Sequence, residues 1–158
     1  MRNAAPAENQ VEYSFKLNAH NKALLDQIKN AKSRSEALRR YPGSFAETLG
    51  ALQKERKLSN KQLADRSLAG EKTIQRLRND EEYPTSVQTV LALCVGLKLP
   101  LPEAEMFLGK TDFKLNSMKN EGSVYQCLAA CAENSVYEIN EMLKENGITP
   151  LGSDPDLQ

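Results

Sequence analysis

The sequence predicts an all-α fold in three parts, and two observations support this prediction. Apolar residues recur at helical spacing along most of the chain from residue 18 onward. Ser, Gly and Pro residues separate these runs where helix caps and turns are expected. We therefore expect an N-terminal extension with a basic amphipathic helix over 1–43, a five-helix domain over 44–110, and an acidic helical hairpin with a tail over 111–158.

Composition is ordinary for a globular protein. The 158 residues are 40% hydrophobic and 27% charged. No apolar run approaches the ~20 residues that a membrane span needs, and the opening segment MRNAAPAENQ has no apolar signal-peptide core. We therefore expect an intracellular, cytoplasmic protein with no membrane partner.

The three cysteines, Cys94, Cys127 and Cys131, are too few and wrongly spaced for a disulfide framework or a zinc site. They are expected to be buried thiols on helix faces.

Charge is unevenly distributed, although the net charge is zero. Residues 16–78 hold 15 Lys and Arg against 6 Asp and Glu, a balance of +9. Residues 79–158 hold 5 against 13, a balance of −8, and residues 1–15 hold 1 against 2. Either one part of the protein attracts a polyanion, or the charges are simply the solvated faces of helices.

The N-terminal extension begins with an ambiguous segment. Apolar and polar residues alternate over 11–17, which is the period of a half-buried strand. Such a strand would pair with a second chain, or the segment would extend over a helical surface. From Asn18 to about Arg40 a basic amphipathic helix is predicted, with Leu24, Ile28, Ala31 and Leu38 at helical spacing. We expect this helix to pack on the core with a solvated basic face. The alternatives are contact with the DNA backbone and a dimer interface.

Caps and turns delimit the helices of the 44–110 domain. Pro42-Gly43 ends the N-terminal helix. The residues expected to open the five helices are, in order, Ser44 (to about Lys57), Ser59, Gly70, Thr85 or Ser86 (to about Leu97), and Pro100 with Pro102.

In the C-terminal part, Ser123 is expected to cap a helix that includes Cys131 and Ala132. Asn134-Ser135 is expected to end this helix. A last helix is expected to stop at Gly147, and the tail after it is expected to be frayed.

The segment 58–80 predicts two short helices joined by a tight turn. Leu63 and Ala64 lie inside the first helix, and Ile74 and Leu77 bury the second helix against it. This leaves six residues on the outside of the second helix: Glu71, Lys72, Thr73, Gln75, Arg76 and Asn79. A helix with such an exposed face can enter a major groove about 12 Å wide.

This segment resembles the helix-turn-helix of the lambda-repressor-like proteins, also called the xenobiotic-response-element (XRE) family. The resemblance is carried by Leu58-Ser59-Asn60, Leu63-Ala64 and Thr73-Ile74-Gln75-Arg76, and downstream by Tyr83-Pro84, 89–93 and Gly96-Leu97. It covers about 44–110. Four positions depart from the usual pattern. Leu68 stands where a turn glycine is usual, and Gly70 stands where a Ser or Thr cap is usual. Asn60 replaces a Gln, and Glu71 replaces a basic or neutral polar residue.

The resemblance implies a role for each exposed residue. Glu71, Lys72, Thr73 and Gln75 are the candidates for contacts with DNA bases. The candidates for contacts with the DNA backbone are Ser59, Asn60, Lys61, Arg76, Asn79 and Tyr83. Two of these have a structural alternative, because Arg76 could pair with an acidic neighbour and Tyr83 could only pack the loop.

Enzymatic chemistry is not expected. The chain has a single histidine, His20, and no phosphate-binding or metal-binding motif, so no catalytic site, metal or cofactor is predicted. We instead expect a bacterial or phage transcriptional regulator that binds double-stranded DNA as a homodimer. The alternatives are a protein-interaction module or an antitoxin-like partner protein. The acidic hairpin, or else residues 11–40, would contact the second copy or the protein partner.

Overall fold

The computed structural model describes residues 4–115 and 118–152, with side chains from residue 21 onward. In this part of the chain there are eight α-helices and no strand, so the prediction of an all-α fold is confirmed. The helices are α1 (Ala4–Arg40), α2 (Phe45–Glu55), α3 (Asn60–Ser67), α4 (Glu71–Asn79), α5 (Val87–Gly96), α6 (Leu101–Leu108), α7 (Glu121–Ala130) and α8 (Val136–Glu145). None of the helices described is long and apolar enough to cross a membrane.

The first helix corrects the prediction for residues 11–17. They form neither a strand nor an extended segment, because they lie within α1. Alternation alone misled the prediction: the described chain offers no strand to pair with, and Ala, Glu, Gln, Lys and Leu along α1 favour a helix by intrinsic propensity. The helix ends at Arg40, just before Pro42-Gly43, as predicted.

The C-terminal half of α1 packs against α6. Ala37 is fully buried in this contact. Asn30 and Arg34 bond to the carboxylate of Glu105, at 2.7 and 2.6 Å. Glu103 accepts hydrogen bonds from Arg40 of α1, at 2.8 Å, and from Arg56 just after α2, at 3.1 Å. Part of the basic charge of residues 16–78 is therefore paired with carboxylates of α6.

Serine caps begin several of the helices at the predicted positions. The side chains of Ser44, Ser59 and Ser86 each accept a hydrogen bond from the backbone N–H three residues later. Gly70 begins α4 without a side-chain bond, and Pro102 lies in the first turn of α6. The second helix stops at Glu55, before the predicted end near Lys57, since Lys57 has a φ of 55° that a helix does not allow.

Helix α5 is the centre of the core. Every residue from Val90 to Leu97 is buried, and α3, α6, α7 and α8 all pack around the helix. A stacked pair, Phe45 and Phe107, adds to the core between α2 and α6, with ring centroids 4.4 Å apart. The buried apolar residues form one continuous cluster from Ala37 to Leu151. The α-hairpin and the five preceding helices therefore share a core.

A close helix contact fixes α3 on α5. A Cβ added to Gly96 would lie 2.8 Å from Leu63 Cδ1 and 2.9 Å from Ser67 Cβ. Real Cβ atoms essentially never approach other heavy atoms so closely. Only glycine at this position lets α3 lie directly on α5.

The C-terminal part is a helical hairpin, with two corrections to the prediction. Helix α7 begins at Glu121, after Asn120, so Ser123 lies in its first turn and does not cap it. It ends at Ala130, so Cys131 and Ala132 follow the helix. Helix α8 begins after Ser135, whose side chain and Glu138 form a reciprocal capping box, which makes this start better defined than that of α7.

The segment after α8 is docked, so the prediction of a frayed tail is wrong for residues 148–152. Leu151 is only 2% exposed. Its N–H donates to Asn140 Oδ1 at 2.7 Å, and Asn140 Nδ2 donates to the carbonyl oxygen of Leu151 at 3.1 Å. The turn-forming residues of this segment suggested fraying. Instead, the burial of Leu151 and its two hydrogen bonds with Asn140 hold the segment in place. Residues 153–158 lie outside the described part.

The three cysteines are free and buried, as predicted. Burial in apolar surroundings raises the pKa of Cys127 to about 12 and that of Cys131 to about 11. The pKa of Cys94 is also raised well above its ordinary value by burial. Thiols with such values carry almost no thiolate at neutral pH and are poor nucleophiles.

We expect Gly96→Ala to lower the free energy of unfolding by about 1–3 kcal/mol, because the added methyl group overpacks the α3–α5 contact. Urea unfolding followed by circular dichroism measures this change. Gly122→Ala is the matched control, since a Cβ at Gly122 meets nothing within 4 Å; it should leave stability unchanged or slightly increased. Equal effects of the two substitutions would contradict the close contact.

We expect all three thiols to resist a disulfide-exchange reagent at pH 8 until the protein unfolds. The folded pKa values of Cys127 and Cys131 exceed the ordinary value of 9.0, so ionisation favours the unfolded chain. Their contribution to stability should be complete below about pH 9 and lost as the pH rises towards 11–12. A thiol that reacts rapidly in the folded protein, monitored by absorbance, would show that it is not buried.

Candidate nucleic-acid interface

Local hydrogen bonds define both ends of α3, the helix that precedes the turn to α4. At its start, Ser59 and Gln62 form a capping box: Ser59 Oγ accepts from the Gln62 N–H at 3.1 Å, and the Ser59 N–H donates to Gln62 Oε1 at 3.0 Å. At its end, the buried hydroxyl of Ser67 donates to the Leu63 carbonyl at 2.7 Å and accepts from the Ala69 N–H at 3.1 Å. Ser67, which sequence analysis missed, thus ties the end of α3 to the turn.

Leu68 occupies the left-handed conformation at the end of α3, with a φ of 63°. This is the turn position at which a glycine is usual in the resemblance, and a leucine there costs roughly 1 kcal/mol of backbone strain. The side chain of Leu68 lies against the segment that follows α8. A Cβ at Gly152 would lie 2.5 Å from Leu68 Cβ, so only a glycine lets the docked tail lie against Leu68.

Helix α4 is held by two apolar residues. Ile74 is 0% and Leu77 2% exposed, and they pack the helix against α2 and α3. Of the six residues predicted to point outward, Glu71, Lys72, Gln75, Arg76 and Asn79 are exposed and Thr73 is half-buried. At about 100° per residue, positions 72, 75, 76 and 79 fall within roughly 100° of the helix surface. The structure thus brings these residues together on one face, which we call the α4 face.

The acidic hairpin leaves the α4 face uncovered. Helix α7 packs against α5 and α6, and α8 packs against α5 and α7. Neither helix buries any of the five exposed α4 residues named above, Glu71 and the four residues of the α4 face. No described segment of the chain therefore covers these five side chains.

The N-terminus of α3 lies beside the α4 face and holds the residues predicted to contact phosphates. Lys61 is exposed, and so is Ser59, although the Ser59 side chain is already used by the capping box. Asn60 is half-buried, and its Oδ1 accepts hydrogen bonds from Gln53 at 3.0 Å and from Arg78 at 3.2 Å. The Asn60 amide oxygen therefore connects three helices, which leaves Lys61 as the side chain best placed for a phosphate.

Arg78 is a residue of this surface that sequence analysis missed. It is exposed, and its guanidinium group bonds to Asn60 at the start of α3. It also passes beside Gly50 of α2, where an added Cβ would be 3.6 Å from Arg78 Nε. A cation is thereby placed next to the free amides of a helix N-terminus, where anions bind favourably. The signal in the sequence was a basic residue four positions after Ile74, on the edge that meets α3.

The end of α4 is organised around Arg76 and Tyr83. The guanidinium carbon of Arg76 lies 5.8 Å from the centroid of the Tyr83 ring, within the range of a cation–π contact. Tyr83 is half-buried and packs against the core, so it orients Arg76 while part of its ring stays accessible. In the following loop, Glu81 accepts a hydrogen bond from Ser44 at 2.9 Å.

Positive charge on α3 and α4 is left exposed. The exposed cations are Lys61, Arg66, Lys72, Arg76 and Arg78, against the exposed carboxylates Asp65 and Glu71. Glu71 lies in the first turn of α4, where it also complements the positive end of the helix dipole. In contrast to Arg34, Arg40 and Arg56, which bond to α6 carboxylates, these cations remain available to a polyanion.

Comparison of the chain with family models, with curated proteins and with solved structures gives no match. The geometry of the α4 face and of the α3 N-terminus is therefore the basis for assigning a function.

We expect Gly70→Ser to stabilise the protein by a few tenths of a kcal/mol, because a hydroxyl at this N-cap can accept a hydrogen bond that Gly70 cannot. The backbone already has the extended cap conformation, and the new Cβ would make an ordinary 3.4 Å contact with Thr73. Thermal unfolding measures the effect. Gly70→Ala adds the Cβ without the hydroxyl, and a gain as large in Gly70→Ala would argue against capping as the cause.

Proposed function

We propose that this chain is a sequence-specific DNA-binding transcriptional regulator of bacterial or phage type, acting in the cytoplasm as a homodimer. In this proposal α2–α6 form the five-helix lambda-repressor-like domain, and α3 and α4 are its helix-turn-helix. The observation that supports it best is the α4 face, an exposed polar and basic surface beside the N-terminus of α3. A helix that presents such a face can lie in a major groove while its neighbour contacts the sugar–phosphate backbone.

The α4 face carries donors and acceptors suited to base edges. Gln75 can read adenine with a bidentate amide, and Lys72 can donate to the O6 and N7 of guanine. Glu71 can accept from cytosine N4, and Thr73, at the edge of the face, can contact a thymine methyl group. These four residues would supply sequence discrimination.

Backbone contacts would come from the cations that surround the α4 face. Lys61 and Arg78 flank the N-terminus of α3, and Arg76 lies at the far side of α4, near Tyr83. Asn79 and Ser59 add neutral donors. Phosphate contacts of this kind position the protein and make binding salt-dependent, but carry no sequence information.

A homodimer follows from the small size of the contact. One short helix reads only a few base pairs, whereas two copies on half-sites about 34 Å apart multiply the discrimination.

A second candidate function is protein interaction, either as a module that retains the fold or as an antitoxin-like partner. The observation in its favour is that the acidic hairpin exposes two aromatic residues, Tyr125 at 42% and Tyr137 at 66%. Exposed tyrosines are enriched in protein interfaces.

We expect the protein to bind a DNA fragment that flanks its own gene, and Lys72→Ala and Gln75→Ala each to weaken this binding by about 5- to 150-fold, the equivalent of 1–3 kcal/mol for a base contact. Fluorescence anisotropy with the flanking fragment and with an unrelated duplex separates specific from general binding. Lys61→Ala should weaken both, with a salt slope lower by about 1. Lys144→Ala, which removes an exposed cation from α8, is the control and should bind as the wild type does.

Unchanged affinity in both Lys72→Ala and Gln75→Ala would exclude the α4 face as the reading surface. Absence of salt-dependent binding to any duplex would favour the protein-interaction alternative.

A further inference from the structure

A cavity lies where α5, α7, α8 and the segment after α8 meet. Its volume is about 130 Å³. Each of these four parts contributes a buried residue to its lining, and these residues are Leu91, Val124, Leu143 and Leu151. Side chains in protein interiors interdigitate and leave few voids larger than a water molecule, so a space of this size between packed helices is unusual.

The lining determines which kind of molecule the cavity accepts. None of the described lining residues carries a charge, and the only polar ones among them are Gln88, Asn120 and Thr149. Gln88 and Thr149 are half-buried and Asn120 is exposed, so the polar groups lie towards the solvent side of the cavity. A charged ligand would lose its hydration here without gaining an ionic partner, whereas an apolar ligand gains free energy from burial.

The volume limits the size of the ligand. An apolar cavity of about 150 Å³ lined by Leu, Ile and Phe side chains binds benzene. The cavity between α5, α7 and α8 is slightly smaller, but it opens to solvent beside Asn120, which leaves room for one substituent on a ring. Pockets for drug-sized ligands usually exceed about 300 Å³, so nucleotides and larger cofactors do not fit.

We propose that this cavity binds a small, neutral molecule that combines one apolar ring or short chain with one hydrogen-bonding group. The apolar part contacts Leu91, Val124 and Leu143, and the hydrogen-bonding group lies at the opening near Gln88 and Thr149. Small-molecule sites generally combine an apolar lining with a few polar groups that orient the ligand.

The cavity is connected to the turn between α3 and α4 through residues 148–152, which we call the strap. Thr149 and Leu151 of the strap line the cavity. The next residue, Gly152, lies so close to the turn that an added Cβ would be 2.5 Å from Leu68 Cβ. A ligand that meets this wall only while the strap is docked stabilises the docked state. Ligand binding is thereby coupled to the contact between the strap and the turn that precedes α4.

This inference goes beyond the proposed function, because neither the cavity nor the strap needs DNA. It is therefore tested on the full chain without DNA, with benzyl alcohol as the probe and benzoate as its charged counterpart.

A methyl ¹³C–¹H NMR titration measures the binding. Benzyl alcohol should shift the methyl signals of Leu91, Val124 and Leu143 in a saturable way, with a dissociation constant on the order of 1 mM. Benzoate should bind at least about tenfold more weakly, because no described lining residue offers its carboxylate a cation. Equal affinity for the two compounds, or shifts that do not saturate, would overturn the proposal.

Two phenylalanine variants locate the site. Val87 is half-buried and lines the cavity, so Val87→Phe should fill the space and abolish the binding of benzyl alcohol. Leu25→Phe introduces the same ring on the exposed side of α1 and should bind as the wild type does. Circular dichroism checks that both variants fold, and Thr149→Phe fills the cavity from the strap if Val87→Phe does not fold. Unchanged binding in a folded, filled variant would place the site elsewhere.

Amide hydrogen exchange tests the coupling to the strap. The Leu151 N–H donates to Asn140 Oδ1 at 2.7 Å, and its exchange requires the strap to open. At a benzyl alcohol concentration of about ten times the dissociation constant, this exchange should slow about tenfold. Binding without slower exchange at Leu151 would refute the coupling. A protein that binds benzyl alcohol but no DNA would instead refute the proposed function and leave this site intact.

Discussion

The burial of Ile74 and Leu77 is the interaction on which the account depends. These two side chains, 0% and 2% exposed, pack α4 against α2 and α3. Each buried side chain of this size contributes roughly 1.5–3 kcal/mol, which is enough to fix the rotation of a helix of nine residues. Once that rotation is fixed, Lys72, Gln75 and Arg76 have to point outward. Gly96 contributes indirectly, because it lets α3, against which α4 packs, lie close to α5.

Charge placement then separates the functions of the basic residues. The α6 carboxylates Glu103 and Glu105 bond to arginines from α1 and from the end of α2. Arg34 and Arg40 attach α1 to α6, and all three arginines already have a carboxylate partner. On α3 and α4 the exposed cations outnumber the exposed carboxylates, so this surface would attract a polyanion. A net charge of zero is thus compatible with a locally basic surface.

Local signals in the sequence predicted most of the helix boundaries correctly. Ser44, Ser59, Ser86 and Ser135 cap helices because a serine side chain satisfies an orphan backbone N–H wherever the chain enters a helix. The rotation of α4 was also predictable, since the spacing of Ile74 and Leu77 defines its buried side. At residues 11–17 the local pattern was wrong, because an alternation of four apolar residues does not decide between a strand and a long helix.

Contacts between distant segments could not be predicted in the same way. The docking of Leu151 depends on Asn140, and the need for a glycine at position 152 comes from Leu68, far back along the chain. The bond from Arg78 to Asn60 likewise needs the packing of two helices to be known.

The most direct test of the central claim is a ¹⁵N–¹H NMR titration of the protein with the DNA fragment that flanks its own gene. If α4 reads the DNA, the largest amide shift changes should fall on residues 71–79 and 59–61, with little change in α7 and α8. Shift changes confined to the acidic hairpin, with residues 71–79 unaffected, would contradict it.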